Sequence, residues 1–306
     1  MKRTEKLLVL DIDNTVFNWV EYYVTCMRAL FEQVHAITGI AVAILQREAQ
    51  VIFEAEGTIE YPFLIQEMPS VVEHYAHDVE RMLREAVEPG RKAFNAAAQA
   101  ALVPYAEVIE TLATFRQRYA NVPVVALTDA PRYVAMWKLN KLGILEYFDA
   151  VYGLPDPRIP ADPINLKVKV DPEILMKHLQ KSSFGFAGRI RVLPDDYEKP
   201  GTKGLKTVLM DFDMESHKED VLWIGDNLRK DVGLGVRLGV HTGWARYGTI
   251  IRQEARDQLL LFSPQQNVAK NVALDPQNDQ SPQPDFVMDS FKDLLAAIEG
   301  TLMKTP

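Results

Sequence analysis

Leu7-Leu8-Val9-Leu10 is an unbroken apolar run that stops at Asp11. No polar residue alternates within it, so both of its faces must be buried, as in a strand of a parallel sheet. Such a strand cannot stand alone, yet its next partner in the chain comes only at Val122 to Leu127. The residues between are helical. Val20, Val24, Met27, Phe31, Val34 and Ile37 recur at steps of three and four, with Gly39 as the expected cap. A second helix is expected from Ala41 to Ala55. A third should run from Pro69 through Val72, Tyr75, Val79 and Met82 towards Gly90, followed by an Ala-rich stretch from Lys92 to Leu102. From Pro104 onward helices alternate with short apolar strands at Val122 to Leu127, Phe148 to Tyr152, Val221 to Ile224, Val240 to Trp244 and Phe286 to Met288. This order predicts an α/β fold with a parallel sheet covered on both faces. Residues 18–102 are then a helical module inserted above the edge where the first strand ends, and 1–17 with 103–306 form the sheet domain.

Two stretches break the pattern. Residues 153–198 read as an insertion in the sheet domain, a β-hairpin-like element around a helix, from the alternation at Ile164 to Val170 and again at Arg189 to Val192. Their basic residues read as edge-strand protection. Residues 263–284, rich in Gln, Asn, Pro and Asp, read as a mobile loop.

Charge and cysteine use bound the function. With 34 Lys+Arg against 42 Asp+Glu, the net charge of -8 disfavours nucleic acid or an anionic membrane as partner. The single cysteine, Cys26, forms neither an internal disulfide nor a Cys-based metal cluster, which suits a reducing compartment. Lys2, Arg3 and Lys6 precede an apolar run that Asp11 ends too early for a signal peptide. A cytoplasmic monomer or homodimer is the expectation.

The acids are the chemistry. In Asp11-Ile12-Asp13-Asn14-Thr15, a period of two places both carboxylates on one side of the strand end, where a nucleophile and a general acid could face one substrate. Asp211-Phe-Asp213 repeats the pair within a helix, so the pair alone means little. Thr128 and Asp129 follow the second strand, as a helix cap or at the sheet edge where ligands bind. Gly225-Asp226-Asn227 follows a later strand, with Asp231 a helical turn beyond. Four carboxylates on one edge need a compensating hard cation, and Mg2+ is the usual choice where phosphate shares the site. Lys199, before Pro200, competes with Lys203 and Lys206 for any role there.

In this order and spacing the four segments resemble the motifs of the haloacid dehalogenase-like (HAD) hydrolase superfamily: Asp11 to Thr15, Thr128, Lys199, and Asp226 with Asp231. The resemblance implies a Rossmann-like core with residues 18–102 as a small all-helical cap domain. It also implies a Mg2+-dependent phosphatase acting on a small phosphorylated metabolite. Asp11 would attack phosphorus, and Asp13 would protonate the leaving oxygen and then activate water. The metal would be held by Asp11, the main-chain carbonyl of Asp13, Asp226, and Asp231 through water; alternatively Asp231 would orient Lys199. Phosphate would sit on Thr128, Asp129, Lys199 and main-chain amides near Asn14 and Thr15. Haloacid dehalogenases lack an acid at the position of Asp13, which favours a phosphatase. A phosphomutase, another phosphoryl-transfer enzyme, or a non-catalytic phospho-ligand binding protein are the alternatives. Specificity is expected from the cap, with Asn18, Trp19, Tyr22, His74, His77, Arg81 and Arg84 as candidates for which packing or solvation is the simpler role.

Overall fold

The computed structural model describes residues 5–156, 183–266, 268 and 282–303. Leu7–Leu10 is β1, and every residue in it is buried. It lies at the centre of a seven-stranded parallel sheet. The other strands are β2 (Val124–Pro131), β3 (Ala150–Leu154), β4 (Arg189–Val192), β5 (Val221–Gly225), β6 (His241–Ala245) and β7 (Phe286–Met288), in the spatial order β4-β3-β2-β1-β5-β6-β7. Leu8 pairs with both Val124 and Leu222, so the first strand rejoins the sheet between elements that follow it much later.

Alternation sorts β1 onto two cores. Leu8 and Leu10 face one, with Val124, Ala126, Leu222 and Ile224. Leu7 and Val9 face the other, with Val125, Leu127, Val221 and Trp223. On the first face lie α7 (Val108–Arg118), α8 (Arg132–Lys141) and, near the C-terminus, α12 (Leu294–Gly300). On the second lie α9 (Lys203–Asp211) and α10 (Gly233–Leu238). The first core runs on without a break into the helical layer built by the inserted residues.

That layer starts with α1 (Trp19–Thr38) and α2 (Val42–Glu56), closed by Gly39 and Gly57 in the left-handed conformation. The expected third helix is broken. After a short α3 (Leu64–Glu67), three pieces replace it: α4 (Pro69–His74), α5 (Val79–Met82) and, after a π-helical turn at Leu83–Val87, α6 (Glu88–Ala101). The break falls at Ala76 and His77, whose φ angles are 46 and 63. Gly90 is no cap; it lies inside α6, where a Cβ would come within 2.6 Å of Ile65 Cδ1 and 3.3 Å of Val34 Cγ2. Its lack of a side chain lets α6 lie close along α1.

Within span 153–198, Arg189–Val192 is the strand β4, paired in parallel with β3, and a short 3-10 turn at Asp195–Tyr197 leads from it to Lys199. Its exposed arginines suit an edge. Ile164 to Val170 and most of 263–284 lie outside the described residues. A further correction concerns α11 (Gln253–Phe262), expected with the sheet domain. It packs on α1 and α2, with the Phe262 ring 5.6 Å from Phe31 and 6.1 Å from Tyr23. No helix among the described residues is long and apolar enough to cross a membrane.

Candidate active site

In the order β2-β1-β5, the chain leaves β1 towards opposite sides of the sheet, which opens a crevice at the carboxyl ends of these strands. Asp11 and Asp226 follow two of those ends, and Thr128 lies just after Leu127, where β2 loses its register with β3. Asp11, Thr128 and Asp226 lie 6%, 2% and 4% exposed, so each side chain is withdrawn from bulk water and must answer to its neighbours.

Lys199 is the shared partner of Asp11 and Asp231. Its Nζ lies 2.7 Å from Asp11 Oδ1 and 2.8 Å from Asp231 Oδ1. Trp223 stacks beneath it, 5.2 Å from Nζ to the ring centre, and donates its indole N–H to the Asp231 carbonyl oxygen. Asp231 Oδ2 accepts from the Asn227 amide at 3.1 Å, so both of its oxygens are engaged. Asp231 therefore orients the lysine. Gly225 makes this possible, because a Cβ there would lie 2.4 Å from Asp231 Cγ. The competitors are elsewhere: Lys203 is exposed and pairs with Asp196, and Lys206 is exposed.

Asn227, rather than Asp226, caps the next turn by accepting from the Arg229 and Lys230 amides. The Asp226 carboxylate is left with no ion pair or hydrogen bond among the described residues. Ligand atoms of Asp11, Asp226 and Asp231 all lie within 4.8 Å of one another. Burial pushes the Asp11 carboxyl up to about 7; Lys199 opposes the rise, and Asp231 and Asp13 add to it. Burial also drives Asp226 well above the usual carboxylate range, helped by Asp231 and Asp11. Burial alone would depress Lys199, yet Asp11, Asp231 and Asp129 hold its ammonium well above its ordinary range. One ammonium thus serves three crowded carboxylates, and the excess negative charge with oxygen-only donors fits a divalent cation such as Mg2+.

Asp13 is set apart from this cluster. Its Oδ1 lies 2.7 Å from the Nζ of Lys138, a residue 1% exposed on α8. The same ammonium sits 5.4 Å from the Phe17 ring centre and 6.0 Å from that of Tyr22. Burial works against the charge on Lys138, but Asp13, Glu60 and Asp11 more than restore it. Sequence reasoning missed Lys138. The available signal was a lysine on the apolar stripe of α8, three residues after Ala135 and four before Leu142.

The remaining expected phosphate ligands are partly committed. Thr128 Oγ1 accepts from the Ala130 amide at 3.1 Å, and α8 has no side-chain cap, so the capping role is excluded. Asp129 accepts from the Lys199 amide at 2.9 Å and forms an ion pair with Lys230 Nζ at 2.5 Å, which leaves only its main chain for an anion. Asn14 holds a left-handed φ of 55 and accepts from the Trp19 amide. The Thr15 amide donates to Ile12 at 3.2 Å, but its buried Oγ1 has no partner among the described residues. Of the expected specificity residues, Asn18 caps α1, Trp19 donates to Glu60, and Arg81 and Arg84 pair with Glu85. Only Tyr22 lines the cavity bordered by Lys138.

Sheet order and site together define an α/β enzyme with an acid-rich centre at the sheet's switch point. The chain belongs to the haloacid dehalogenase-like hydrolases, whose family profile matches residues 5–239. Its fold is similar to that of a 2-haloacid dehalogenase from Pseudomonas syringae pv. Tomato DC3000, at 13% identity over 96% of this chain and 98% of the other, with a TM-score of 0.52. A HAD phosphatase from Thermococcus onnurineus is similar at 16% identity over 97% and 99% of the two chains, with a TM-score of 0.50. No curated protein matches the chain.

Proposed function

We propose that this protein is a Mg2+-dependent phosphatase of a small phosphate monoester. The observation that carries the reading is the second carboxylate. Asp13 is held by its own lysine outside the Asp11 cluster, and its side chain is 25% exposed while that of Asp11 is 8% exposed. Two carboxylates in unlike environments divide roles. A leaving alkoxide needs a proton and a halide does not, so an acid beside the nucleophile favours phosphate esters over haloacids.

Asp11 would attack phosphorus, forming an aspartyl-phosphate as the bond to the leaving oxygen breaks; Asp13, which for this step must carry a proton in place of its ion pair with Lys138, would supply that proton to the oxygen. Asp13 would then take a proton from water as the water displaces phosphate from Asp11. Lys199, fixed by Asp231, and Thr128 would hold phosphoryl oxygens, where charge spreads in the transition state. Asp11, Asp226 and, through water, Asp231 would hold Mg2+, with the Asp13 main-chain carbonyl. When bound, the ion offsets the negative charge that nucleophile and phosphate bring together.

Release of phosphate from para-nitrophenyl phosphate tests this directly. Turnover should require Mg2+, stop with a chelator, and vanish in Asp11→Asn. Full activity of that variant would remove Asp11 as nucleophile. No turnover across a broad phosphate panel would favour a binding protein.

A further inference from the structure

Lys138, the partner of Asp13, borders a cavity of about 520 Å³, a volume typical of small-molecule sites. Its walls come from α1, α6, α8 and the loop ahead of α3. Lys138 lines it, and the Lys138 ammonium bonds Asp13, so an ester positioned for Asp13 to protonate its leaving oxygen must project its alcohol portion this way. Several rings line it: Tyr22 and Tyr23 from α1, Tyr61 from the loop, Phe94 from α6, and Tyr133 and Trp137 from α8. Tyr133 and Trp137 remain only half-buried, one helical turn apart on the same face of α8. Tyr23 is fixed by stacking on Trp19 at 4.9 Å and meets Phe94 edge-on at 6.4 Å, so this wall is preassembled.

Arg91, Asn95 and Gln99 recur every fourth residue along α6 and line the same cavity. The two amides make no hydrogen bond among the described residues. A flat ring fits such walls by stacked or edge-to-face contact, and a polar substituent on it would meet the amides. A two-carbon acid or alcohol would touch few of these groups and leave the rings facing water.

Resting on the phosphatase reading above, we infer that the substrates are phosphate monoesters of ring-bearing alcohols, with the ring seated among Tyr22, Phe94, Tyr133 and Trp137. Burying one phenyl group should raise kcat/KM by about 10- to 100-fold. The comparison must hold the leaving group constant, since phenols leave more readily than alcohols. With Mg2+ present, 2-phenylethyl phosphate is therefore compared with ethyl phosphate, both of which release a primary alkoxide. A preference of at least tenfold is expected. Trp137→Ala should cut that ratio at least fivefold, Phe94→Leu should also lower it, and Trp137→Phe should retain it. Equal turnover of the two esters would overturn the inference.

Calorimetric titration of both esters into Asp11→Asn separates the two readings. Tighter binding of the phenylethyl ester without any turnover by the native protein would reject the phosphatase and support the ring site. Equal binding of the two esters would reject the ring site whatever the turnover.

Discussion

The Lys138–Asp13 pair should show a large and asymmetric coupling. Its partners are unequally buried, with side-chain exposures of 1% and 25% at a separation of 2.7 Å. Lys138→Met keeps the aliphatic stem over Phe17 and Tyr22 and removes the charge. Asp13 then loses a charge-assisted hydrogen bond but regains water on its open side, a cost of about 2 kcal/mol. Asp13→Asn instead strands an ammonium in the interior. Unpaired buried charges cost about 3 to 5 kcal/mol, and the fields of Glu60 and Asp11 place this one near 3. In the double variant neither charge is left, and replacing a buried pair by neutral groups is close to neutral, so about 1 kcal/mol should be lost. At roughly 2 °C per kcal/mol for a chain of this size, the falls in Tm should be about 4, 6 and 2 °C. Scanning calorimetry of the four proteins in chelator at neutral pH reads the cycle, whose coupling should be about 4 kcal/mol against the roughly 0.5 kcal/mol tolerance of independent sites. A double variant melting about 10 °C below the native protein, the plain sum of the single losses, would show that the two charges do not sense each other.

Three further outcomes follow from the geometry. Asp226→Asn should raise the Tm of the metal-free protein by relieving crowded charge, and should abolish the stabilisation that Mg2+ gives the native protein, about 2.7 kcal/mol at one hundred times its Kd; an unchanged Mg2+ response on thermal melting would remove Asp226 from the metal site. Gly225→Ala should lower kcat by about 100-fold, because the new methyl displaces Asp231 and with it Lys199; native phosphate release from this variant would show that Lys199 does not depend on Asp231. Phe262→Ala, at the end of α11, should cost about 3 to 5 kcal/mol in urea unfolding through lost packing on Tyr23 and Phe31; a loss below 1 kcal/mol would mean that α11 is only loosely attached.

The central strands β1, β2 and β5 were legible because each opens with a buried apolar run that carries nothing polar before the site residues. Helices α1 and α2 were legible because a glycine closes each one. The break near residue 76 was not, since Val72, Tyr75, Val79 and Met82 keep helical spacing through it and neither glycine nor proline marks it. The left-handed turn at Ala76 and His77 is held instead by local bonds, such as the His77 amide to the Val72 carbonyl. Gly90 misled in the opposite sense, because a glycine that closes a helix and one that admits a neighbouring helix look alike in sequence. At the site, acids and a hydroxyl at strand ends were readable from position alone. The engagement of Asp129 and the placement of Lys138 opposite Asp13 were not, since both depend on side chains meeting across elements far apart in the chain.

The central place of β1 has a bearing on biosynthesis. Its four apolar residues leave the ribosome well before their neighbours Val124 and Leu222. At roughly 5 to 20 residues per second, the second neighbour arrives some tens of seconds after the first residues of the strand. During that interval a segment destined for the deepest part of the molecule has no sheet to enter. The helices from α1 to α6 are local in sequence and can form meanwhile, so the nascent chain should gather its helical layer before the strand bearing Asp11 finds its place.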